Sequence, residues 1–335
     1  MIEFQRLLLD DTLRNNAFVN ALKAVVVPGK SVVADIGSGT GFLSFAAEKM
    51  GAKECHLYEV SELLTLSKAL AKENGMKHCQ FFQAHSTDVK KPVKADVVVS
   101  EILGNYALEE NIIETLNDAQ RFLKPGGTII PESLTQFVAP VTSSRLYDEL
   151  NVWDRVGHGM TFDAAKEICM NNMYVKEITM KDIQAPSPGV YPEPSRGTAG
   201  EGWGEGRKWD AIDFRKKNDS VRTKTIEWIM TKDMTLYGYA LWWESVLTKK
   251  ITLSTSPSEP MTHWKQIYLP LLDPLPVKKG QMIQLTITSD SRYEVKINVT
   301  WETTIFDAAA GLRPTRARQR RALKNIRQDM TKGFL

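Results

Sequence analysis

Ser31-Val-Val-Ala-Asp-Ile-Gly-Ser-Gly-Thr-Gly41, followed by the helical stretch Phe42 to Met50, decides the fold of the first half of this chain. A short apolar run closed by turn residues reads as a buried parallel strand. Glycines between such a strand and a helix let the backbone approach a ligand closely. The spacing Gly37-x-Gly39-x-Gly41 is tighter than the G-x-G-x-x-G of dinucleotide-binding folds, so NAD fits it poorly. Asp35 stands two residues before the first glycine, and a second short strand, Glu54 to Tyr58, ends at Glu59. An acid there can take a ribose diol. Further strands are predicted at 80–83, 96–100 and 127–130, with helices at 61–74 and 108–122. This alternation argues for an α/β fold with a doubly wound, Rossmann-like parallel sheet. Ligands sit at the carboxyl ends of such strands, so Asp35, Glu59 and Glu101 should converge on one crevice.

The stretch after the strand at 96–100 carries the chemistry. In Ser100-Glu-Ile-Leu-Gly-Asn-Tyr-Ala-Leu-Glu-Glu110, Glu101 and Glu110 lie nine residues apart at the rim of the crevice. Two carboxylates suit a cation that cannot give up its charge. A guanidinium is that cation, planar and permanently protonated, so the pair points at chemistry on an arginine. Glu109 could fill the role of Glu110.

After Pro131 the pattern changes. Leu134-Thr-Gln-Phe-Val138, the run from Thr235 to Trp243, Lys250-Ile-Thr-Leu-Ser254, Gln281 to Ile287 and Tyr293 to Trp301 are β-branched, aromatic and partly alternating. They read as antiparallel strands of a barrel or sandwich. Residues 185–208, rich in Gly and Pro, are expected to form a disordered surface insertion, with Trp203 exposed. Residues 162–173 suggest an amphipathic helix with Phe162, Ala165, Ile168, Cys169 and Met173 on its apolar face.

The chain has 335 residues, enough for two domains, with 42% apolar and 25% charged residues, as in an ordinary globular protein. No apolar run approaches bilayer-spanning length, and the N-terminus lacks the layout of a secretion signal, so no membrane partner is expected. Cys55, Cys79 and Cys169 are odd in number and far apart. This argues against a disulfide framework or a zinc site and for a reducing, cytoplasmic setting. Residues 313–332 hold eight Lys/Arg against one acid, Asp329, and leave a mildly acidic body. That tail, 309–335, is read as a solvated terminal helix, with weak nucleic-acid binding as its alternative use.

The acid, the glycines and Glu59 resemble the S-adenosylmethionine-dependent methyltransferases. Adding Glu101, Glu110, the junction Leu123-Lys-Pro-Gly-Gly-Thr-Ile-Ile-Pro131 and the loop Thr262-His-Trp264, residues 2–310 resemble the protein arginine methyltransferases. The resemblance implies an N-terminal helical segment (1–26), a cofactor domain (27–131) and a β-barrel substrate domain (132–308). It also implies a dimerisation arm at 156–174, a homodimer, and S-adenosyl-L-methionine as cofactor. By the same resemblance Glu101 and Glu110 grip an arginine side chain of a protein substrate, and Thr262, His263 and Trp264 close its pocket. Arg14 pairs with the cofactor's carboxylate. Asp35, Gly37, Gly39 and Gly41 surround its methionine portion, and Glu59 holds the ribose. Three departures stand out. The family's tyrosine-rich covering helix is expected to be absent, because the chain starts thirteen residues before Arg14. Ile102 stands where the family usually has Trp, and Ser86-Thr87 replaces an acid near the adenine, which makes Thr87 the expected contact. The arm is short. The competing expectation is a family member that is catalytically weak or inactive and acts as a binding or regulatory subunit.

Overall fold

The computed structural model describes residues 2–183, 206–249 and 251–307, together with the backbone of 313–321. Strand β1 (Val32–Ile36) is buried at every position, as its unbroken apolar run requires. It lies between β2 (Glu54–Tyr58) and β4 (Ala95–Val99). β3 (Cys79–Phe82) and β5 (Leu123–Ile130) stand outside them, giving the order β3-β2-β1-β4-β5 with every pair parallel. The order reverses beside β1, which is where a doubly wound sheet opens its crevice. Helices α3 (Phe42–Lys49), α4 (Leu63–Glu73) and α5 (Ile112–Ala119) follow β1, β2 and β4.

Two helices precede the sheet, α1 (Ile2–Asp10) and α2 (Thr12–Val25). Asp11 between them is the N-cap of α2: its Oδ1 accepts the Arg14 N–H at 2.9 Å. Phe18, Ala21 and Leu22 of α2 are fully buried, whereas α1 buries no residue.

The second half forms two antiparallel sheets. One runs β7 (Tyr174–Lys176), β12 (Gln266–Val277), β10 (Met234–Thr248), β6 (Ser133–Val141), β8 (Arg207–Asp213), with β11 (Ile251–Ser254) paired to β10. The other runs β15 (Arg313–Arg321), β14 (Asn298–Asp307), β13 (Gln281–Asp290), β9 (Val221–Ile229). Trp228 and Tyr239 stack between the two sheets at 6.0 Å, and the Tyr239 hydroxyl is 2.8 Å from Thr303 Oγ1. One hydrophobic core runs from α2 and the parallel sheet into this barrel, and a smaller second cluster gathers Val141, Leu146, Ile178, Ala240 and Tyr268.

Several expectations are corrected. Helix α5 starts at Ile112 and not at 108, because Asn111 takes a left-handed φ of 56° and the preceding residues turn to present the two glutamates. The last parallel strand begins at Leu123, with Lys124-Pro-Gly-Gly127 inside it. The strand expected from Tyr293 begins at Asn298, since residues 291–297 fold back onto α5: Asn111 Nδ2 donates to the carbonyls of Ser291 (2.5 Å) and Lys296 (3.2 Å). Residues 313–321 are a strand and not part of a helix; they pair antiparallel with β14, whose edge would otherwise be left open. Strand β12 escaped reading because Pro270, Pro274 and Pro276 interrupt it. Residues 207–208, assigned to the insertion, open β8. Residues 184–205, including Trp203, lie outside the described residues.

Helix α6 (Arg145–Leu150) precedes the arm, and α7 (Asp163–Met170) lies in it. The expected apolar face is rotated: Met170 is fully buried, while Ile168 is 51% exposed. Lys166 sets that rotation, its Nζ reaching Asp154 at 3.0 Å and Asp273 at 3.1 Å on the barrel side. Among the described residues no helix is long and apolar enough to cross a membrane.

Candidate active site

A cavity of about 310 Å³ opens at the carboxyl ends of β1, β2 and β4. Its floor is the glycine loop. Gly37, Gly39 and Gly41 all have positive φ, at 73°, 52° and 86°. Gly41 is the most constrained: a Cβ there would lie 2.5 Å from Ser67 Oγ and 2.6 Å from the Phe45 ring. At Gly37 a Cβ would meet Ile102, whose branched side chain stands at 3.0 Å. A side chain at any of the three positions would meet a neighbour, so glycine keeps the backbone itself at the cavity wall.

Asp35 lies beneath this floor, 1% exposed, and accepts a hydrogen bond from Ser44 Oγ at 2.8 Å. Burial, with the nearby Glu59 charge, pushes its carboxyl up to about 7 despite the Ser44 bond. Glu59 accepts the backbone N–H of Gly39 at 2.9 Å and of Ser61 at 2.8 Å, one on each oxygen. Each carboxylate oxygen keeps a further lone pair for a hydroxyl from the cavity. Ser38 and Ser86 line the cavity, and their hydroxyl oxygens are buried with no partner among the described residues.

Three charged groups face one another at the other end. Arg14, Glu101 and Glu110 all line the cavity. Arg14 donates through Nε (2.8 Å) and Nη2 to a single oxygen of Glu101, and through Nη1 to Asn15 at 2.8 Å. The other Glu101 oxygen accepts the Leu103 N–H at 3.2 Å. Glu110 presents an exposed face to the cavity, while protein surrounds its remaining sides. That burial, and then the charges of Glu101 and Glu109, push it up to about 8 against the pull of Arg14; water reaching its open face tempers the effect. Glu109 does not line the cavity. Its carboxyl turns toward Gly104, and burial raises it to about 7 although the backbone N–H groups of Tyr106 and Asn105 favour its charged form. Of the two, Glu110 is the one on the cavity wall.

The loop carrying Glu101 is fastened by the barrel. Trp264 Nε1 donates to the Leu103 carbonyl at 2.6 Å and Trp243 Nε1 to the Gly104 carbonyl at 3.1 Å. The two indoles meet edge to face at 5.1 Å, and both are almost fully buried. His263 packs on Trp264, with ring centroids 3.9 Å apart. Its Nδ1 lies 2.7 Å from Asp11 Oδ2, which also accepts the His263 backbone N–H at 2.8 Å. Burial would raise the Asp11 carboxyl, but the bonds from the Arg14 and His263 N–H groups outweigh it and hold it below the usual range. Burial lowers the His263 pKa, with Asp11 opposing. The carboxylate assigns the proton to Nδ1, so Nε2 carries a lone pair; it is buried with no partner among the described residues.

Thr262 bonds the Trp264 carbonyl at 3.3 Å, and neither it, His263 nor Trp264 reaches the cavity wall. Thr87 is exposed, tied to His85 at 2.7 Å, and outside the cavity; His85 and Ser86 line the wall in its place. The N-terminal side is covered after all: α1 contributes Phe4, Gln5, Leu8 and Leu9 to the lining, with Gln5 lying over Gly39. Asp11, Trp243 and His85 were missed. The sequence signals Asp11 only as a helix cap, and nothing in it relates Asp11 to His263, 252 residues away.

A family model described as the arginine methyltransferase oligomerization subdomain matches residues 132–304, and one for the ribosomal protein L11 methyltransferase (PrmA) matches 16–135. The first spans just over half of the chain. The chain belongs to the arginine methyltransferase family. Among curated proteins it is 28% identical to the histone-arginine methyltransferase CARMER of Anopheles gambiae over 293 residues, 83% of this chain and 45% of that protein. It is 25% identical to the CARMER of Drosophila ananassae over 320 residues, 91% of this chain and 58% of that protein. The chain thus spans about half the length of these relatives. Its fold superimposes on the Trypanosoma brucei PRMT1 enzyme-prozyme heterotetrameric complex with AdoHcy with a TM-score of 0.78, at 19% identity, covering 96% of this chain and 98% of that one. It superimposes on protein arginine methyltransferase 10 of Arabidopsis thaliana with a TM-score of 0.74, at 20% identity, covering 94% and 96%.

Proposed function

We propose that this chain transfers a methyl group from S-adenosylmethionine to a guanidinium nitrogen of arginine in protein substrates. One observation carries the reading: Glu101 and Glu110 stand on the wall of a single cavity, beside Arg14 and above a glycine loop closed to side chains. The residues present fit the cofactor. Glu59 keeps free lone pairs for ribose hydroxyls, and the unpartnered Ser38 and Ser86 hydroxyls offer further contacts. The glycine floor carries no lysine, in keeping with a ligand that has no phosphate.

When bound, S-adenosylmethionine supplies a methyl group on a positively charged sulfur. The chain's own work is alignment. Glu101 and Glu110 accept guanidinium N–H bonds and draw positive charge toward the nitrogens they hold, leaving lone-pair character on the third. Arg14, now shared with Glu101, is placed to turn to the cofactor's carboxylate. Holding the reactants in line is worth roughly 7 kcal/mol or more in the best cases. No strong base is needed before attack, since the nitrogen's proton becomes acidic once the nitrogen is alkylated. Glu110, on the cavity wall, is the acceptor placed for it, while His263 Nε2 stands off that wall. The direct test is methyl-labelled S-adenosylmethionine with an arginine-rich peptide, read by mass spectrometry. The label is expected on arginine and absent from a lysine-substituted peptide; no transfer under single-turnover conditions refutes the reading.

Glu110 makes peptide binding pH-dependent. Its folded pKa is raised, so the free protein holds a proton there in a window from the ordinary 4.5 up to about 8. A guanidinium needs the carboxylate, so binding releases that proton. Peptide affinity should rise with pH between 6 and 8, by at most about tenfold per unit, then level off. Calorimetry in buffers of different ionisation enthalpy counts the proton; zero release at pH 7 contradicts the assignment.

The same reading includes a homodimer. The arm exposes Met160 and Ile168 (56% and 51%), with Val152 just before it (44%), and α1 with its neighbour exposes Phe4, Leu7 and Leu13 (50%, 47% and 43%). An arm seated on a second copy's N-terminal helices buries both patches in a closed pair. Ile168→Asp is expected to shift the chain toward monomer in sedimentation; an unchanged profile speaks against this contact.

A further inference from the structure

The barrel backs the wall of the cofactor cavity at a second place, besides the tryptophans. Residues 291–297, between β13 and β14, lie on α5 and are held there at both ends. Asn111 Nδ2 binds the carbonyls of Ser291 and Lys296, and Ser291 Oγ donates to Glu114 Oε1 at 2.8 Å. Between these anchors stands Tyr293. Its hydroxyl is 3.3 Å from Thr115 Oγ1, and its ring meets the His85 imidazole edge to face at 5.6 Å. Thr115 and His85 both line the cavity; Tyr293 does not. One side chain of the substrate domain thus braces two residues of the cavity wall from behind.

We infer that Tyr293 is a positioning residue for the nucleoside end of the cofactor. The inference rests on the proposed function. If the sulfur faces Glu101 and Glu110, and Glu59 takes the ribose, the base falls at the end lined by His85, Ser86 and Thr115. His85 stands on the short segment following β3, where its Nδ1 is tied to Thr87 Oγ1 at 2.7 Å and the Tyr293 edge supports the ring as a second contact. The edge contact helps fix the ring plane, and the hydroxyl contact fixes the Thr115 rotamer. The ordering entropy of both is then met before the ligand arrives.

The test uses the full chain and two ligands in calorimetry: S-adenosylhomocysteine, and 5′-methylthioadenosine, which lacks the amino-acid end. Tyr293→Ala is expected to weaken both by the same factor, about tenfold. Tyr293→Phe, which keeps the ring edge and loses the hydroxyl, should weaken both about threefold. The KM for an arginine peptide at saturating cofactor should stay within about twofold of wild type, a split that general loosening of the fold would not produce. Unchanged nucleoside affinity in Tyr293→Ala overturns the inference. So does a loss confined to S-adenosylhomocysteine, or a parallel rise in peptide KM. A wild-type chain that binds neither nucleoside removes the cofactor reading itself, and this role with it. Wild-type binding with an indifferent Tyr293→Ala removes only the role.

Discussion

Glu101→Gln is expected to lower methyl transfer to an arginine peptide by roughly a thousandfold, while S-adenosylhomocysteine still binds within about threefold of wild type. The substitution keeps the shape and one acceptor oxygen, which can serve either the Arg14 guanidinium or the Leu103 N–H, since these bind different oxygens of Glu101. What it removes is the charge. A guanidinium then meets one carboxylate rather than two, and Arg14, no longer neutralised, repels it. Both effects act where charge is redistributed during attack, in a site partly shielded from water. Measuring kcat/KM alongside cofactor affinity separates the catalytic loss from a collapsed cavity. Turnover close to wild type would remove Glu101 from the mechanism.

Trp243→Ala should cost about 3–5 kcal/mol of folding stability and abolish activity with it. Trp243 is 1% exposed, packs edge to face on Trp264, and donates its indole N–H to Gly104 within the loop that bears both glutamates. Truncation leaves a large cavity at the joint between barrel and parallel sheet and an orphaned carbonyl beside it. Trp243→Phe refills most of the space without the donor, and should cost much less stability while still loosening the Glu101 loop. Chemical denaturation gives the first number and kcat the second. An alanine variant as stable as wild type would mean that the joint is not held there.

The parts of this protein that follow local rules were legible in the sequence. The glycine loop could be read because its three left-handed turns require glycine, and β1 because a strand buried on both faces is apolar throughout. The glutamate pair was legible through its spacing and its place after a strand. What escaped was set by contacts distant in sequence. The cap of α2 doubles as the partner of a histidine in the barrel, and proline-broken β12 is a strand because its neighbours supply the pairing. Thr87 was expected at the cavity because the resemblance fixes a neighbourhood, and only the fold decides that His85 and Ser86 line the wall there while Thr87 stands outside it.

Traffic through the cavity follows from how unevenly its walls are fixed. The wall toward the barrel is continuous with the central core and fastened by two indole bonds. The wall made by α1 buries none of its residues, and its C-terminal end is tethered through Asn15, whose side-chain amide donates to the Leu9 carbonyl at 2.9 Å. Lifting α1 sacrifices little apolar contact, whereas parting the sheets would break the molecule. Within one chain the easier way in for a nucleoside is therefore expected on the N-terminal side, and in the homodimer proposed above the partner's arm would have to yield with α1.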